Sequence, residues 1–357
     1  MNNSIDKLLQ EPVSFLANSA PEADIAISSR IRLARNLTGF SFPTAASVSA
    51  KREICEMVSN AAAESKVLGS PDRFTFTPEE MSELDREILF ERRLASRDFL
   101  ENPAGTMLLV CPNESSSIMV NEEDQLRIQT LHPGFNLNAA WQEINDLDNE
   151  LGRELDYAFD ERFGFLTCCP TNVGTGMRAS VMLHLPGLVM TGQINSTIQG
   201  INKLSLAVRG IFGEGTDNLG NLFQVSNQST LGESESQIIE RLNQVIDQLI
   251  RHEKNARRML LEHDQFGVYD MVGRAIGTLR HAYKLTSEEA WKSLSGVRLG
   301  VDLGLFNAID IKLVNYLFIA INPAHLQKLA NRELTATERD IYRASLCRDK
   351  FKVSLNL

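Results

Sequence analysis

Nowhere in this chain does an apolar run approach the roughly 20 residues that an α-helix needs to cross a bilayer, so no membrane association by a spanning helix is expected. The start, Met1-Asn-Asn-Ser-Ile-Asp6, has neither a basic lead nor an apolar stretch, and no secretory signal is expected. Cysteine is sparse, five in 357 residues, and Cys55, Cys111 and Cys347 stand far apart. That is the usage of free thiols in a reducing cytosol and not of a disulfide framework. Cys168 and Cys169 are adjacent, the wrong spacing for a zinc ligand pair, and no His or Cys pair elsewhere completes a metal site. An excess of positive charge is missing as well. The 36 Lys and Arg face 46 Asp and Glu, a formal net charge of -10. Nucleic acid is thereby excluded as the main ligand, because phosphate backbones call for basic surface, whereas a basic partner fits. No G-x-x-x-x-G-K-[ST] occurs, and Gly174-Thr-Gly176 is too short for a dinucleotide fingerprint. The protein-kinase loops, internal repeats and low-complexity segments are absent too.

What is present is an ordinary globular composition, 43% hydrophobic and 23% charged, in a length that suits two domains. Residues 1–22 are polar, with Pro12 and Pro21, and read as a loosely ordered lead-in. From Asp24 to Asn36 the apolar Ile25, Ile27, Ile31 and Leu33 fall on odd positions, which predicts a strand. Residues 46–65 and 78–95 carry helical periodicity, and two β-like runs, 105–110 and 116–121, flank Pro112-Asn113-Glu114 as a hairpin. A helix is predicted over 138–156, with Trp141, Ile144, Leu147 and Leu151 on one face. FGFLTC (163–168), SVMLHL (180–185), KLSLAVRG (203–210) and NLFQVSN (221–227) read as further strands, with helical pattern over 187–203. Ser234 and Gln237 form a capping box before a long amphipathic helix that runs toward Glu262. Beyond it only helix is predicted, in four segments separated near Gly267, Thr286 and Pro323. The fold class is therefore α+β, with a mixed region followed by an all-α C-terminal region.

Arginine is unusually placed. Arg30 and Arg32 share a strand face, Arg127 follows the acidic run Glu122-Glu123-Asp124, Arg178 follows the Gly-Thr-Gly turn, and Arg209 ends an apolar strand. Each alone reads as a strand-end surface charge. Five from scattered segments suggest one polyanion, and planar guanidinium forks suit phosphate oxygens. Taken singly, the acidic run is a solvated turn and the glycine-rich loop holding Glu214 is merely flexible. Beside a phosphate-binding arginine set, however, carboxylates would repel a triphosphate unless the acceptor is itself a cation. A guanidinium is such a cation, and two carboxylates could grip it and take its proton as it attacks phosphorus. A thiolate beside it would be stabilised and could orient it. Cys169, before Pro170 and a tight turn, is expected at a strand end facing the cleft, with Cys168 pointing the opposite way into the core.

SSRIR (28–32), NEED (121–124), CPTNVGTGMRASV (169–181), RGIFGEG (209–215) and SN (226–227) stand in the order and spacing of the ATP:guanido phosphotransferases. The chain resembles that family over roughly residues 24–250. The resemblance implies an antiparallel β-sheet guanido-kinase catalytic domain with flanking helices. It implies that Ser28, Arg30, Arg32, Arg127, Arg178 and Arg209 bind ATP, and that Glu123 and Glu214 hold the guanidinium, with Glu123 as the base. Cys169 is implied as the active-site thiol, and magnesium arrives with ATP, held by phosphates and water.

Only 27 residues precede Ser28, and the helical part follows the catalytic region, an order that resembles the bacterial protein arginine kinases. The expected division is 1–255 for the catalytic domain and 256–357 for a helical domain serving dimerisation and phosphoarginine docking. Arg339, Asp340, Arg343 and Ala344 resemble the R-D-x-x-R-A segment with which that branch binds phosphoarginine. Independently, like charges at i, i+4 repel mildly on a helix, and an anion between Arg339 and Arg343 would reverse this; the plain alternative is a solvated helix start capped by Thr335 or Thr337. The branch implies cytoplasmic arginine-bearing protein substrates, basic or unfolded, a homodimer, an activator protein, a Clp ATPase and protease, and control of a stress response. Two departures from the family stand out: Gln125 where His is usual, and Phe212 where metabolic enzymes often have a basic residue. Two rival readings remain, a kinase of a free guanidino compound such as arginine and a non-catalytic phosphoarginine-binding adaptor. The paired Glu123 and Glu214 speak against the adaptor, since a binder needs no base.

Overall fold

The computed structural model describes residues 3–10, 13–16, 20–210, 219–306 and 308–353. In chain order its elements begin with α1 (Asn3–Gln10), β1 (Ala26–Arg35), α2 (Val48–Ala63), β2 (Phe74–Phe76), α3 (Glu83–Glu91) and α4 (Arg97–Glu101). The hairpin strands β3 (Met107–Val110) and β4 (Ser116–Val120), then β5 (Leu126–Pro133) and α5 (Leu137–Glu154), follow. Next come β6 (Phe159–Asp160), β7 (Gly164–Phe165), β8 (Met177–His184), α6 (Pro186–Met190), α7 (Ile194–Asn202), β9 (Leu206–Gly210) and β10 (Leu222–Asn227). The chain then turns helical: α8 (Glu235–His263), α9 (Gln265–His281), α10 (Ser287–Asp302), α11 (Ile311–Ala320), α12 (Pro323–Ala330) and α13 (Ala336–Val353).

By its contacts the chain forms two compact units. The first gathers Met1–Phe15, Ser28–Val181 and Ser226–Gln244; the second gathers Leu16–Ile27, Met182–Val225 and Val245–Leu357.

In the first unit the strands lie in the order β2-β3-β4-β5-β1-β8-β10. The pairs β2–β3, β3–β4, β4–β5 and β1–β5 are antiparallel, and β3–β4 is the hairpin that the sequence predicts. Alternation decides which side of β1 is core: Ile31 and Leu33 are fully buried, while Arg30 and Arg32, which alternate with them, are half-buried. Helix α5 buries Ala140, Ile144, Leu147 and Leu151, the helical spacing seen in the sequence, and Thr130 on β5 donates to the Ala140 carbonyl at 3.1 Å. Within the lead-in, α1 packs instead of being loose, with Leu8 fully buried.

A second link ties α5 to the sheet. Glu143 accepts hydrogen bonds from Ser115 Oγ (2.8 Å) and Ser116 Oγ (2.5 Å), and His132 Nε2 lies 2.8 Å from its other oxygen. Burial opposes ionisation, but the bonds from His132, Ser116 and Ser115 outweigh it and hold the carboxyl at about 2. A depressed carboxylate stabilises the fold above its ordinary value of 4.5 and loses that contribution as pH falls toward 2. Glu143→Gln is therefore expected to cost about 1–3 kcal/mol at pH 7 and progressively less in acid. Melting curves of both proteins across this range check it, and a gap that does not narrow below pH 4.5 removes the account.

In the second unit the ends of β8 and β10 continue with β9, in the order β8-β10-β9. Among the described residues the helical part has five helices after α8, where four segments were expected. Gly267 lies inside α9, whose N-cap is Asp264, and breaks the sequence pattern does not mark fall after Asp302 and Ala330. Its core joins Trp291, Leu294, Val297, Leu317, Phe318, Ala344 and Phe351, with Trp291 and Phe318 ring centroids 4.9 Å apart. Buried charges pair within it. Glu253 accepts from the Gly187 and Leu188 amides at the start of α6 and from Arg257 Nε at 2.7 Å. Arg298 donates to Asn315 and to the Ala23 carbonyl.

Candidate active site

The register of β1 and β5 builds one polar face. Arg30 stands opposite Leu131, Arg32 opposite Gln129 and Ala34 opposite Arg127. Directly opposed residues share a side of a sheet, so Arg30, Arg32, Arg127 and Gln129 project together while Ile31, Leu33 and Ile128 fill the core. Ser28, two residues before Arg30, falls on the same face. Electrostatics bring Arg178 into the group. Burial, then repulsion from Arg93, Arg127 and Arg178, pulls the Arg30 guanidinium down to about 9. Burial, then Arg30, Arg127 and Arg178, pulls Arg32 further down, with Glu122 opposing. Arg32 Nε is buried without a hydrogen-bond partner among the described residues. Arginines keep their protons at any ordinary pH, so these shifts measure an electrostatic cost that a bound polyanion would relieve.

Facing the cations is the turn 121–125, where the three consecutive acids have three different fates. Glu122 is buried and ion-paired to Arg127, and Ser96 donates to it. Asp124 is buried and accepts from Asn36 Nδ2 and from the Cys168 amide, each at 2.7 Å. Glu123 alone is exposed; burial, Asp124 and Glu122 raise its carboxyl above the ordinary range, with Arg127 opposing. Gln125 is fully buried, its Oε1 accepting from the Leu37 amide (2.6 Å) and its Nε2 donating to the Ser41 carbonyl (2.9 Å). The departure from His thus keeps one acceptor and one donor for backbone bracing, a task that needs no titration.

Asp124 joins this turn to the cysteine segment, and there the sequence-based expectation needs correction. Cys168 and Cys169 lie on bends, not on a strand, and both are partly exposed. Strand β7 ends at Phe165 and Pro170 opens a short 3-10 turn, so face alternation does not apply and Cys168 is not a core thiol. Cys169 Sγ is 3.0 Å from Thr171 Oγ1, and Cys168 Sγ is 3.9 Å from Thr44 Oγ1.

The Gly-Thr-Gly turn then sets Arg178. Gly174 has φ 111° and Gly176 φ 64°, conformations that favour glycine. A Cβ on Gly174 would collide with the Thr230 carbonyl, and one on Gly176 would lie 2.6 Å from the Ala34 carbonyl. Asn227 brackets Arg178, accepting from the Ala179 amide at 2.8 Å and donating to the Met177 carbonyl at 3.0 Å. Ser226 Oγ accepts from Arg178 Nη2 at 3.4 Å. The Ser226-Asn227 pair is therefore a positioning device for this arginine.

Arg30, Arg32, Arg127, Arg178, Glu123 and Cys169 all belong to the first unit. Arg209 is exposed on β9 in the second, and Glu214 lies outside the described residues. In the second unit, too, Arg343 is buried, donating to the carbonyls of Ile321 (2.9 Å) and Leu285 (2.7 Å) and to Asp340 (2.7 Å). Arg339 donates to the Leu334 carbonyl and Ala344 is fully buried. Thr335 caps α13 reciprocally with Glu338. Sequence reasoning missed Asn36 and Arg93, and saw Asp124 only as one of an acidic run; their bonds and neighbours come from segments far apart in sequence. Among the described residues no group of three or more His, Cys, Asp or Glu side chains converges to hold a metal, and the donor set fits a polyphosphate that carries its own cation.

The model of the ATP:guanido phosphotransferase C-terminal catalytic domain matches residues 53–256, and that of the protein-arginine kinase McsB C-terminal domain matches residues 265–356. The chain is 44% identical over 351 residues to the protein-arginine kinase of Halothermothrix orenii, covering 98% of this chain and 100% of that protein. It is 42% identical over 354 residues to that of Bacillus subtilis, covering 99% and 97%. The crystal structure of a lombricine kinase shares the fold, with a TM-score of 0.57 at 23% identity over 68% of this chain and 70% of that one. Catalytic-domain match, C-terminal match and near full-length likeness agree: the chain belongs to the ATP:guanido phosphotransferase family, in the branch of the protein-arginine kinases.

Proposed function

We propose that this protein transfers the γ-phosphoryl group of ATP to arginine side chains of other proteins. The observation that carries the reading is the single sheet face bearing Arg30, Arg32, Arg127 and Arg178, beside a turn whose one exposed acid is Glu123. The arginines hold the phosphates and offset charge on the transferring group. A guanidinium nitrogen of the substrate attacks the γ-phosphorus, the bond from phosphorus to the β–γ bridging oxygen breaks, and ADP leaves. Glu123 takes the proton that the attacking nitrogen sheds, and Cys169 helps orient the guanidinium. Magnesium bound to the phosphates supplies further charge neutralisation. Arg209 as a further phosphate contact and Glu214 as the second guanidinium carboxylate rest on the resemblance of the RGIFGEG block.

The test is to incubate the protein with ATP-Mg and, separately, an unfolded basic protein and free arginine, and to measure acid-labile phosphate. Label on the protein but not on arginine supports the reading. Label on arginine alone would make it a kinase of a free guanidino compound, and label on neither would return it to a binding role.

In this reading residues 1–255 carry catalysis and 256–357 dock phosphoarginine and dimerise. The protein works in the cytoplasm with an activator and a Clp-type protease, in a stress response. Asp340, half-buried and accepting from the anchored Arg343, and the half-buried Arg339 are the carboxylate and the guanidinium that this reading sets against the two halves of a phosphoarginine. Asp340→Ala is expected to weaken binding of a labelled phosphoarginine peptide at least about tenfold, because a charge-assisted bond is lost. Phosphorylation of a small unstructured substrate should remain. Titration without ATP reads the first effect, and equal affinity in both proteins would end the claim of a second site.

A further inference from the structure

We propose that Cys168 is a second reactive thiol, which closes a reversible disulfide with Cys169 when a hydroperoxide oxidises the site. The proposal rests on the kinase reading above and adds to it a modification site at a residue just ahead of the motif block that begins at Cys169.

The five thiols divide into two groups. Cys111 and Cys347 are buried, and burial raises both, Cys347 to about 12. Burial raises Cys55 to about 11, and its Sγ donates to the Gly105 carbonyl at 3.5 Å. A thiol must lose its proton to act as a nucleophile, so these three are inert at neutral pH. Cys168 and Cys169 differ from them: both are partly exposed, both lie on bends, and they are covalent neighbours.

The backbone around the pair is anchored at its two outer ends. The Cys168 amide donates to Asp124 Oδ1 at 2.7 Å. The Cys169 carbonyl accepts from Thr167 Oγ1 at 2.8 Å and from the Asn172 amide at 3.0 Å. Between these anchors lies the peptide group that joins the two cysteines, and neither its carbonyl nor its amide has a hydrogen-bond partner among the described residues. Adjacent Cα atoms stand only about 3.8 Å apart across a trans peptide, closer than the usual disulfide span of about 4.4–6.8 Å, so a ring between neighbours must turn that peptide group and carries strain. The group that has to turn is the one the fold leaves unbonded. Thiols are weak hydrogen-bond partners, so the contacts of Cys169 with Thr171 (3.0 Å) and of Cys168 with Thr44 (3.9 Å) oppose the rotation little. Strained disulfides are readily reduced, which suits a reversible modification.

The chemistry balances with hydrogen peroxide as the oxidant. Cys169 sulfur attacks one peroxide oxygen, the O–O bond breaks, water leaves and a sulfenic acid remains. Cys168 sulfur then attacks Cys169 sulfur, the S–S bond forms, the S–O bond breaks and a second water leaves. Two thiols give up two electrons and two protons, and the peroxide is reduced to two waters. A dithiol reductant returns the electrons. While the ring is closed, Cys169 is withdrawn from Thr171 and from the substrate guanidinium, so transfer stops. The same ring shields Cys169 from further oxidation to the irreversible sulfinic acid.

The experiment compares wild type with Cys168→Ser and Cys168→Ala, treated with excess hydrogen peroxide and then with dithiothreitol. Both variants should match wild type in activity and melting temperature before oxidation, because the bond to Asp124 uses the Cys168 backbone. In oxidised wild type the peptide holding both cysteines should be lighter by two hydrogens and resist alkylation, and activity should fall at least about tenfold. Dithiothreitol should restore it. In the variants Cys169 should instead gain oxygen, and the recovered fraction should be at least about fivefold smaller. A wild-type peptide that gains oxygen in place of losing two hydrogens would overturn the proposal. So would equal recovery in all three proteins, or a disulfide that joins two chains on a non-reducing gel. The mass change is read without any assay of activity. Protein inactive with ATP-Mg before oxidation would therefore sink the kinase reading, a result distinct from failure of the disulfide to form.

Discussion

Glu123→Gln is expected to lower turnover by about 10²–10⁴, the span of a general base, while ATP affinity changes little. The expectation follows from elimination within one turn. Glu122 is committed to Arg127 and Ser96, and Asp124 to Asn36 and the Cys168 amide. Only Glu123 presents an exposed carboxylate with basicity to spare, because burial and the two flanking acids raise it above 4.5. The sign of the pH dependence is fixed by that shift. A base works when deprotonated, so activity should fall as pH drops through a value higher than that of an ordinary Glu, and the acid limb should vanish in the Gln variant. Single-turnover rates with saturating ATP-Mg separate chemistry from binding. Near-wild-type turnover would remove Glu123 from the mechanism.

What was readable in the sequence and what was not divides along a physical line. Period-two alternation shows Arg30 and Arg32 on one side of β1, because burial of Ile31 and Leu33 on the other side leaves them no choice. The hairpin of β3 and β4 and the Ser234–Gln237 cap are local, and both are found where local chemistry places them. The Cys168 expectation failed because alternation holds only while a strand continues, and β7 stops at Phe165. Arg93 gave no signal: its place beside Arg30 comes from a positive φ and from the bond its carbonyl accepts from Gln129, 36 residues on. Arg343 reads as a surface charge at i, i+4 from Arg339, yet the carbonyls of Leu285 and Ile321 bury it. Motif blocks mark chemistry, whereas the bonds that aim each group are long-range and belong to the fold.

Arg178→Lys is expected to keep the charge and still lower turnover by about 10²–10³, the effect of removing one preorganised donor from a transition state. Arg178 is aimed with unusual care. The glycine turn brings β8 into line, and Asn227 locks the backbone on both sides of it. Ser226 Oγ accepts from one Nη at 3.4 Å, which fixes the direction in which the fork points. A lysine is a point charge on a flexible stem, so it can offset the ground-state charge of ATP but cannot present two parallel N–H groups to a planar transferring phosphoryl. The deficit should therefore fall on turnover more than on ATP affinity, the signature of an interaction made in the transition state. Folding should be little affected, since the side chain is half-buried and the locks on either side are backbone bonds. Steady-state kinetics with ATP varied, beside melting curves of the two proteins, decide the matter. Full activity with lysine would mean that charge alone suffices at this position and that bidentate recognition there is wrong. A loss confined to ATP affinity would move Arg178 from the transferring group to the ground-state phosphates.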